Sequence, residues 1–545
     1  MGSTTYVHGD QVDPYLPCFE LKGQHEESVP GDGKGREMSN SGSVEGAVLH
    51  PFERALYRNQ FILGPCFIDE FTSWGKTKVR NSICLTTHPD LNVYQVTHEN
   101  KSITLMGYIL DPDNSGASDI DITNRLMGET SDFDRLLERS CKFGGRWILI
   151  VDDGKHIRLF HDAVGLRQVF YTDAGSTSDL WCASQPGMIA EQLQLGMDSS
   201  AINFINSFKQ SNREYWWPGE SCPYREIRHL PPNHYLNLDT GLSHRYWPDR
   251  PLPKLSLEDA IGKTAETLQG LMESAAKRYD LAVSLTAGWD SRLVLAASRG
   301  IHENVSYVTV RQAGMPSTHA DLTVPALLVS QLGLKHDVVE APSAMNSEFM
   351  SVFQKNAPFP HEKWGPDAQA LMNYNSQGRV VVTGSASEVV RFFYGQMPKE
   401  QITPQSLSSL TMGGDLFATR AFETWLKGTK ELFNYNLLDL FYWEQRCGNW
   451  LAMCQLEFDI AWKDIFTPFN CRELLVNMLA VEEAYRNPPT YEFYKRAMLQ
   501  LWPEVLNAPI NPHKQKSVGV LVTSFLKNQL RRHTPDFIKK VIKGR

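Results

Sequence analysis

The sequence predicts a two-part chain of mixed class. An α+β half built on antiparallel sheet is followed by an α/β half built on a parallel sheet, with a helical C-terminal part. Three observations carry this. Residues 55 to 247 are rich in short β-branched and aromatic runs punctuated by Asp-Gly and Ser. Past the Pro-rich break "WPDRPLPK" (247 to 254), strand-like and helix-like runs alternate, as in parallel sheets covered by helices. From 405 to about 505 the chain reads as mostly helical and unusually aromatic.

In chain order, residues 1–48 contain "ESVPGDGKGREMSNSGSVEG", polar and Gly/Ser-rich, and read as a flexible extension. Residues 49–247 form the first domain. "GRWILIVDDGKHIRLFHD" predicts a hairpin around Asp153-Gly154, and "HYLNL" with "SHRYW" a second through Asp239-Thr240-Gly241. Residues 248–515 form the second domain. It opens on a long helix capped by Ser256 with Glu258 in its first turn. Strands at "LAVSL", "VSYVTV", "HDVVEA" and "GRVVV" then alternate with helices at "SRLVLAASRG" and "HADLTVPALLVSQLG". Residues 516–545 are a basic tail interrupted by Pro535.

With 42% hydrophobic and 21% charged residues, the composition is that of a globular protein, and a net charge of -8 gives no pull toward nucleic acid or anionic membrane. Nine cysteines without tight spacing read as reduced thiols, and no CxxC or HExxH suggests a structural zinc or a zinc protease. No apolar run approaches the ~20 residues that span a bilayer. "MGSTTYVHGDQVD" lacks a signal pattern, and Tyr6 stands where myristoylation of Gly2 wants Ser or Thr. The expectation is a cytoplasmic protein with no nucleic-acid partner and no integral membrane segment.

In a parallel sheet, ligands bind where strand ends meet helix starts. "SLTAGWDSR" is such a place. Thr286, Ala287 and Gly288 are small enough for backbone N–H groups to approach an anion, and Ser284, Thr286 and Ser291 offer hydroxyls. Asp290 suits a phosphate site only through a bridging Mg2+; a plain strand–helix turn capped by Asp290 or Ser291 is the alternative. A second loop, "TGSASE", sets Thr383, Gly384, Ser385, Ala386 and Ser387 before another carboxylate, Glu388. Two such carboxylates from neighbouring strand ends could share one Mg2+ across a polyphosphate.

These loops resemble the asparagine synthetase and β-lactam synthetase family. Thr286-Ala287-Gly288-Trp289-Asp290-Ser291 is similar to its Ser-Gly-Gly-x-Asp-Ser motif, and "TGSASE" stands where it has Ser-Gly-x-Gly-x-Asp. "HADLTVPALLVSQLGLKHDVVE" and "FTPFNCRELLVNMLAVEEAYR" are similar to its next and late segments. "GGRWILIVDDGKHIRLFHDAVGLRQVFYT" and "REIRHLPPNHYLNLDTGLSHRYW" resemble the end of a class II glutamine amidotransferase domain. The resemblance covers about residues 55 to 510. It implies an amidotransferase-like (Ntn-type) first domain and an adenine-nucleotide α-hydrolase-like second domain. It also implies ATP and Mg2+ as cofactors, with Ser284, Leu285, Thr286, Ala287, Gly288, Asp290, Ser291, Val310, Thr383 and Gly384 on the nucleotide and Asp290 and Glu388 on the metal.

The chain departs from that family where glutamine would be hydrolysed. An N-terminal cysteine nucleophile is expected there, but the chain starts Met-Gly and its first cysteine is Cys18. The expectation is therefore an AMP-forming ligase that adenylates a small-molecule carboxylate and joins it to an amine not cut from glutamine. A second copy of the chain, or a carrier or peptide, stands open as partner. Ser385 occupies the family's base position and is too weak a base, so Glu444 and Arg446 are the catalytic candidates, alongside a structural salt bridge as their alternative. Lys514, ahead of Lys495, is the candidate oxyanion cation. Rival readings are a glutamine-dependent asparagine synthetase, a non-catalytic relative, and a tRNA-modifying enzyme.

Overall fold

The computed structural model describes residues 54–512 apart from 81, 376, 377, 430 and 431. The extension, Cys18, the basic tail and Lys514 lie outside the described residues.

The first half holds two antiparallel six-stranded sheets. One runs β10 (Ile227–His229), β8 (Phe170–Thr172), β9 (Cys182–Ala183), β1 (Phe61–Gly64), β3 (Ile83–Thr87), β2 (Gly75–Arg80). The other runs β12 (Leu242–Arg245), β11 (His234–Asn237), β7 (Ile157–His161), β6 (Gly144–Asp152), β5 (Lys101–Leu110), β4 (Val93–His98). Both expected hairpins form, β6 with β7 and β11 with β12. The side-chain period of two explains the stacking. Ile148 and Ile150 of β6 enter a core shared with Phe61, Leu63 and Leu85 of the facing sheet. Trp147, Leu149 and Val151 point the other way, onto Ile122, Leu126, Leu136 and Leu137 of two covering helices. Every residue of β6 is therefore buried.

The second half is built on a five-stranded, wholly parallel sheet, ordered β15 (His336–Glu340), β14 (Val305–Arg311), β13 (Leu281–Ser284), β16 (Val380–Val382), β17 (Ile465–Phe466). Here too both faces are covered, as parallel strands require. Leu281, Val283, Val380 and Val382 face the larger core, Ala282, Val308 and Val381 a smaller one. Helix α1 (Leu257–Ala276) opens this half, its Ser256 side chain accepting the Asp259 N–H as expected of an N-cap. Helices α2 (Trp289–Ala297) and α3 (Ala320–Leu332) follow β13 and β14, and α4 (Gly365–Tyr374) precedes β16. A π-helical stretch, Tyr442–Leu451, runs into α5 (Ala452–Phe458). The two-residue β17 has no pattern in the sequence that could announce it.

Buried ion pairs join the halves. Arg146 on β6 grips Asp459 with a 2.8 Å Nη2–Oδ2 bond and reaches Asp464 at 3.2 Å, which Arg167 also meets at 2.6 Å. Arg146 and Asp459 are almost wholly buried, so each charge depends on the other. No helix among the described residues is long and apolar enough to cross a membrane.

Candidate functional site

Strand β13 ends at Ser284, and the chain turns through Leu285 to Gly288 into α2, with Gly288 at the N-cap position. The bland alternative, a cap at Asp290 or Ser291, is not what forms. The loop's amides have internal acceptors: Thr286 N–H donates to Ser291 Oγ (3.3 Å) and Gly288 N–H to Thr286 Oγ1 (3.2 Å). Ala287 N–H donates to Asp321 Oδ1 at 2.8 Å. A carboxylate on a loop amide at a helix start is the interaction a phosphate oxygen makes. The loop thus holds an anion already, one supplied by α3.

Neighbouring β16 ends in the second loop, and the two loops touch at Gly384. A Cβ there would lie 2.6 Å from the Asp290 carbonyl carbon and 2.7 Å from the Ser291 nitrogen, so only glycine permits the approach. Ala386 adopts a left-handed φ of 71°, which turns the chain into a short 3-10 helix, Ser387–Val390. These turns bring Asp290 and Glu388 to one cation, and it comes from the protein. Arg391 Nη2 lies 3.0 Å from Asp290 Oδ2 and 3.6 Å from Glu388 Oε1. Ser387 Oγ donates to the other Asp290 oxygen. Mg2+ between the two carboxylates does not fit this arrangement, because the guanidinium takes the bridging position and Asp290 has both oxygens engaged.

Beside the loops lies a cavity of about 250 Å3. Ser284, Thr286, Val310, Thr383 and Glu388 line it, whereas Leu285, Ala287, Gly288, Asp290, Ser291 and Gly384 do not. Its other walls are largely apolar and aromatic, including Trp364, Tyr442, Trp450 and Trp462. Asp367 of α4 also lines it, with one oxygen accepting from Gln312 Nε2 at 2.7 Å. Burial pushes the Asp367 carboxyl up to about 6, against hydrogen bonding and Lys363 that pull it down. Nothing in "WGPDAQ" distinguishes Asp367 from an ordinary first-turn helix residue.

The other expected residues stand elsewhere. Glu444 is wholly buried and saturated, accepting from Arg245 (2.5 and 2.7 Å), Asn233 Nδ2 (2.8 Å) and Trp425 Nε1 (2.7 Å). Burial raises its carboxyl, but the Arg245 pair outweighs that and holds it below the ordinary range. Arg446 pairs with Glu214 at 2.7 Å and lies over the Trp450 ring. Neither lines the cavity; each sits in a structural salt bridge, Glu444 with Arg245 and Arg446 with Glu214. Lys495 Nζ lies 5.9 Å from the Trp289 ring, which itself packs against Tyr491. Arg292 was not singled out in the sequence. It donates to the carbonyls of Val505, Ala508 and Pro509 and, with the Asn511 N–H bound to Ala287 O, pins the C-terminal segment against the loop.

No family model and no curated protein matches the chain. Among solved structures it is similar to a glutamine PRPP amidotransferase from B. subtilis, at 12% identity over 72% of this chain and 90% of that one, TM-score 0.21. It is also similar to an NH3-dependent NAD synthetase from Campylobacter jejuni, at 15% identity over 35% and 92%, TM-score 0.20. A U34-tRNA thiolase from Methanococcus maripaludis matches at 11% identity over 51% and 74%, TM-score 0.22. Likeness at such TM-scores does not define an activity.

Proposed function

We propose that the chain is an ATP-dependent carbon–nitrogen ligase that activates a carboxylate as its adenylate and passes the acyl group to an amine. The observation that carries this reading is the meeting of two strand-end loops at Gly384, one holding an anion on its Ala287 amide, beside a largely apolar cavity.

In this reading the adenine and ribose enter the cavity against Ser284, Val308 and Val310. The phosphates take the place of the Asp321 carboxylate on the loop amides at the N-terminus of α2. Attack of the substrate carboxylate on the α-phosphorus releases pyrophosphate, whose developing charge is met by those amides and hydroxyls. Asp367, whose raised carboxyl deprotonates near neutrality, accepts the proton of the attacking amine. AMP then leaves and the amide forms.

The test is incubation with ATP and a panel of carboxylates and amines, followed by mass spectrometry. AMP, pyrophosphate and a dehydrated conjugate are expected together. ADP and phosphate as products would exclude adenylation, and no binding of ATP would favour a non-catalytic protein.

A further inference from the structure

Away from the two loops, His361, Cys454 and Glu457 converge at the cavity's edge, each buried. The donor atoms, an imidazole nitrogen, the sulfur and a carboxylate oxygen, all lie within 4.8 Å of one another. Cys454 itself lines the cavity.

The hydrogen bonds around His361 fix its tautomer. Nε2 lies 2.7 Å from the Tyr215 carbonyl oxygen, which can only accept, so Nε2 carries the proton. In the neutral ring, Nδ1 then presents a lone pair, and it faces Glu457 Oε1 at 2.9 Å and Cys454 Sγ at 3.9 Å. Lone pair against carboxylate is repulsive unless a positive centre sits between them. A proton on Nδ1 would answer for that contact alone. It would leave Glu457 Oε2, buried and accepting no hydrogen bond from the described residues, without a partner. It would also leave the sulfur unexplained. A metal ion held by both carboxylate oxygens would answer for all three.

We infer that His361 Nδ1, Cys454 Sγ and the Glu457 carboxylate form a binding site for a divalent transition-metal ion, zinc by the nature of its donors. Zinc bonds of about 2.0–2.3 Å at tetrahedral angles set donor atoms about 3.3–3.6 Å apart. The observed Nδ1–Oε1 and Nδ1–Sγ separations of 2.9 and 3.9 Å bracket that range. The Nε2–H bond to a backbone carbonyl is the outer contact that metal-bound histidines make. The Glu457 carboxylate is held in turn by the His361 N–H at 2.8 Å. Three protein donors leave a fourth position for water or a ligand. This inference does not depend on the ligase reading.

The experiment uses the full chain, stripped with chelator and titrated with Co2+, then with Zn2+. The expected result is one Co2+ per chain with a thiolate-to-cobalt charge-transfer band that Zn2+ abolishes. Cys454→Ser should lose that band, and Glu457→Gln should weaken binding by about 100-fold or more while keeping it. Circular dichroism establishes that each variant is folded. Folded wild-type protein showing no band and retaining no zinc would assign the contact to a proton and overturn the site. So would a Cys454→Ser variant that still gives the band. Because no turnover is read, failure here leaves the ligase reading standing.

Discussion

Two buried ionic groups in this protein use the same residue types to different ends. The Arg146–Asp459–Asp464–Arg167 group joins the two halves: two arginines meet two aspartates directly, and none of the four lines the cavity. The Asp290–Arg391–Glu388 group sets two carboxylates on one guanidinium, sits where two strand ends touch, and Glu388 reaches the cavity wall. Burial and pairing therefore do not separate structure from function here. Position at the carboxyl edge of a parallel sheet does, because there helix starts and cavity converge. The same contrast moves Glu444, saturated by three partners, to the structural side.

The largest effect expected from breaking this comparison lies in the first group. Asp459→Ala removes the bidentate partner of the buried Arg146 and leaves two arginines sharing Asp464 alone, so it should destabilise the protein by about 3–5 kcal/mol in denaturant titration; a loss within about 1 kcal/mol would show the clamp to be ornamental. Asp290→Ala should act on turnover instead. With Glu388 still paired to Arg391, the fold should survive, but Ser387 and Arg391 of the second loop lose their anchor on the first, and ATP–pyrophosphate exchange should fall about 100-fold through misplaced loop groups. Unchanged exchange would remove Asp290 from the site.

Asp367 sharpens the comparison by pH. Its folded carboxyl is raised from 3.8 to about 6, so its stabilising contribution is full below pH 4 and is lost as pH rises through 6. Asp367→Asn should therefore be more stable than wild type at pH 8, by about 1–3 kcal/mol, and no more stable at pH 4. It should also lose amide formation while keeping exchange. Equal stability gains at both pH values would contradict the burial argument. The smallest effect of interest is Glu444→Gln. It should cost about 1–2 kcal/mol of stability through the weakened Arg245 pair, with exchange unchanged once folded. A selective loss of exchange would return Glu444 to catalysis.

Much of the fold was legible because period-two and alternating patterns report burial directly. β6 and β7 around Asp153-Gly154, and the four strands β13 to β16, stand where the pattern puts them. β17 was not legible, since two residues carry no period. In the site, small residues after a strand marked both loops, and Gly384 turns out to be small for a contact no local pattern encodes. Arg391, Asp321 and Asp367 were missed as site residues for a shared reason. Each looks like an ordinary helical or turn residue, and its role comes from partners distant in sequence, Asp290, Ala287 and Gln312. His361 and Cys454 are 93 residues apart and gave no metal-site spacing to read.

The central claim is that the two loops and their cavity hold a nucleotide. Calorimetric titration of ATP into the wild-type chain and into Val310→Trp tests it most directly, since Val310 is half-buried and lines the cavity. One ATP per wild-type chain, with affinity lowered about 100-fold or more in the folded variant, is the predicted result. No binding to the wild type, or equal binding to both, would contradict it.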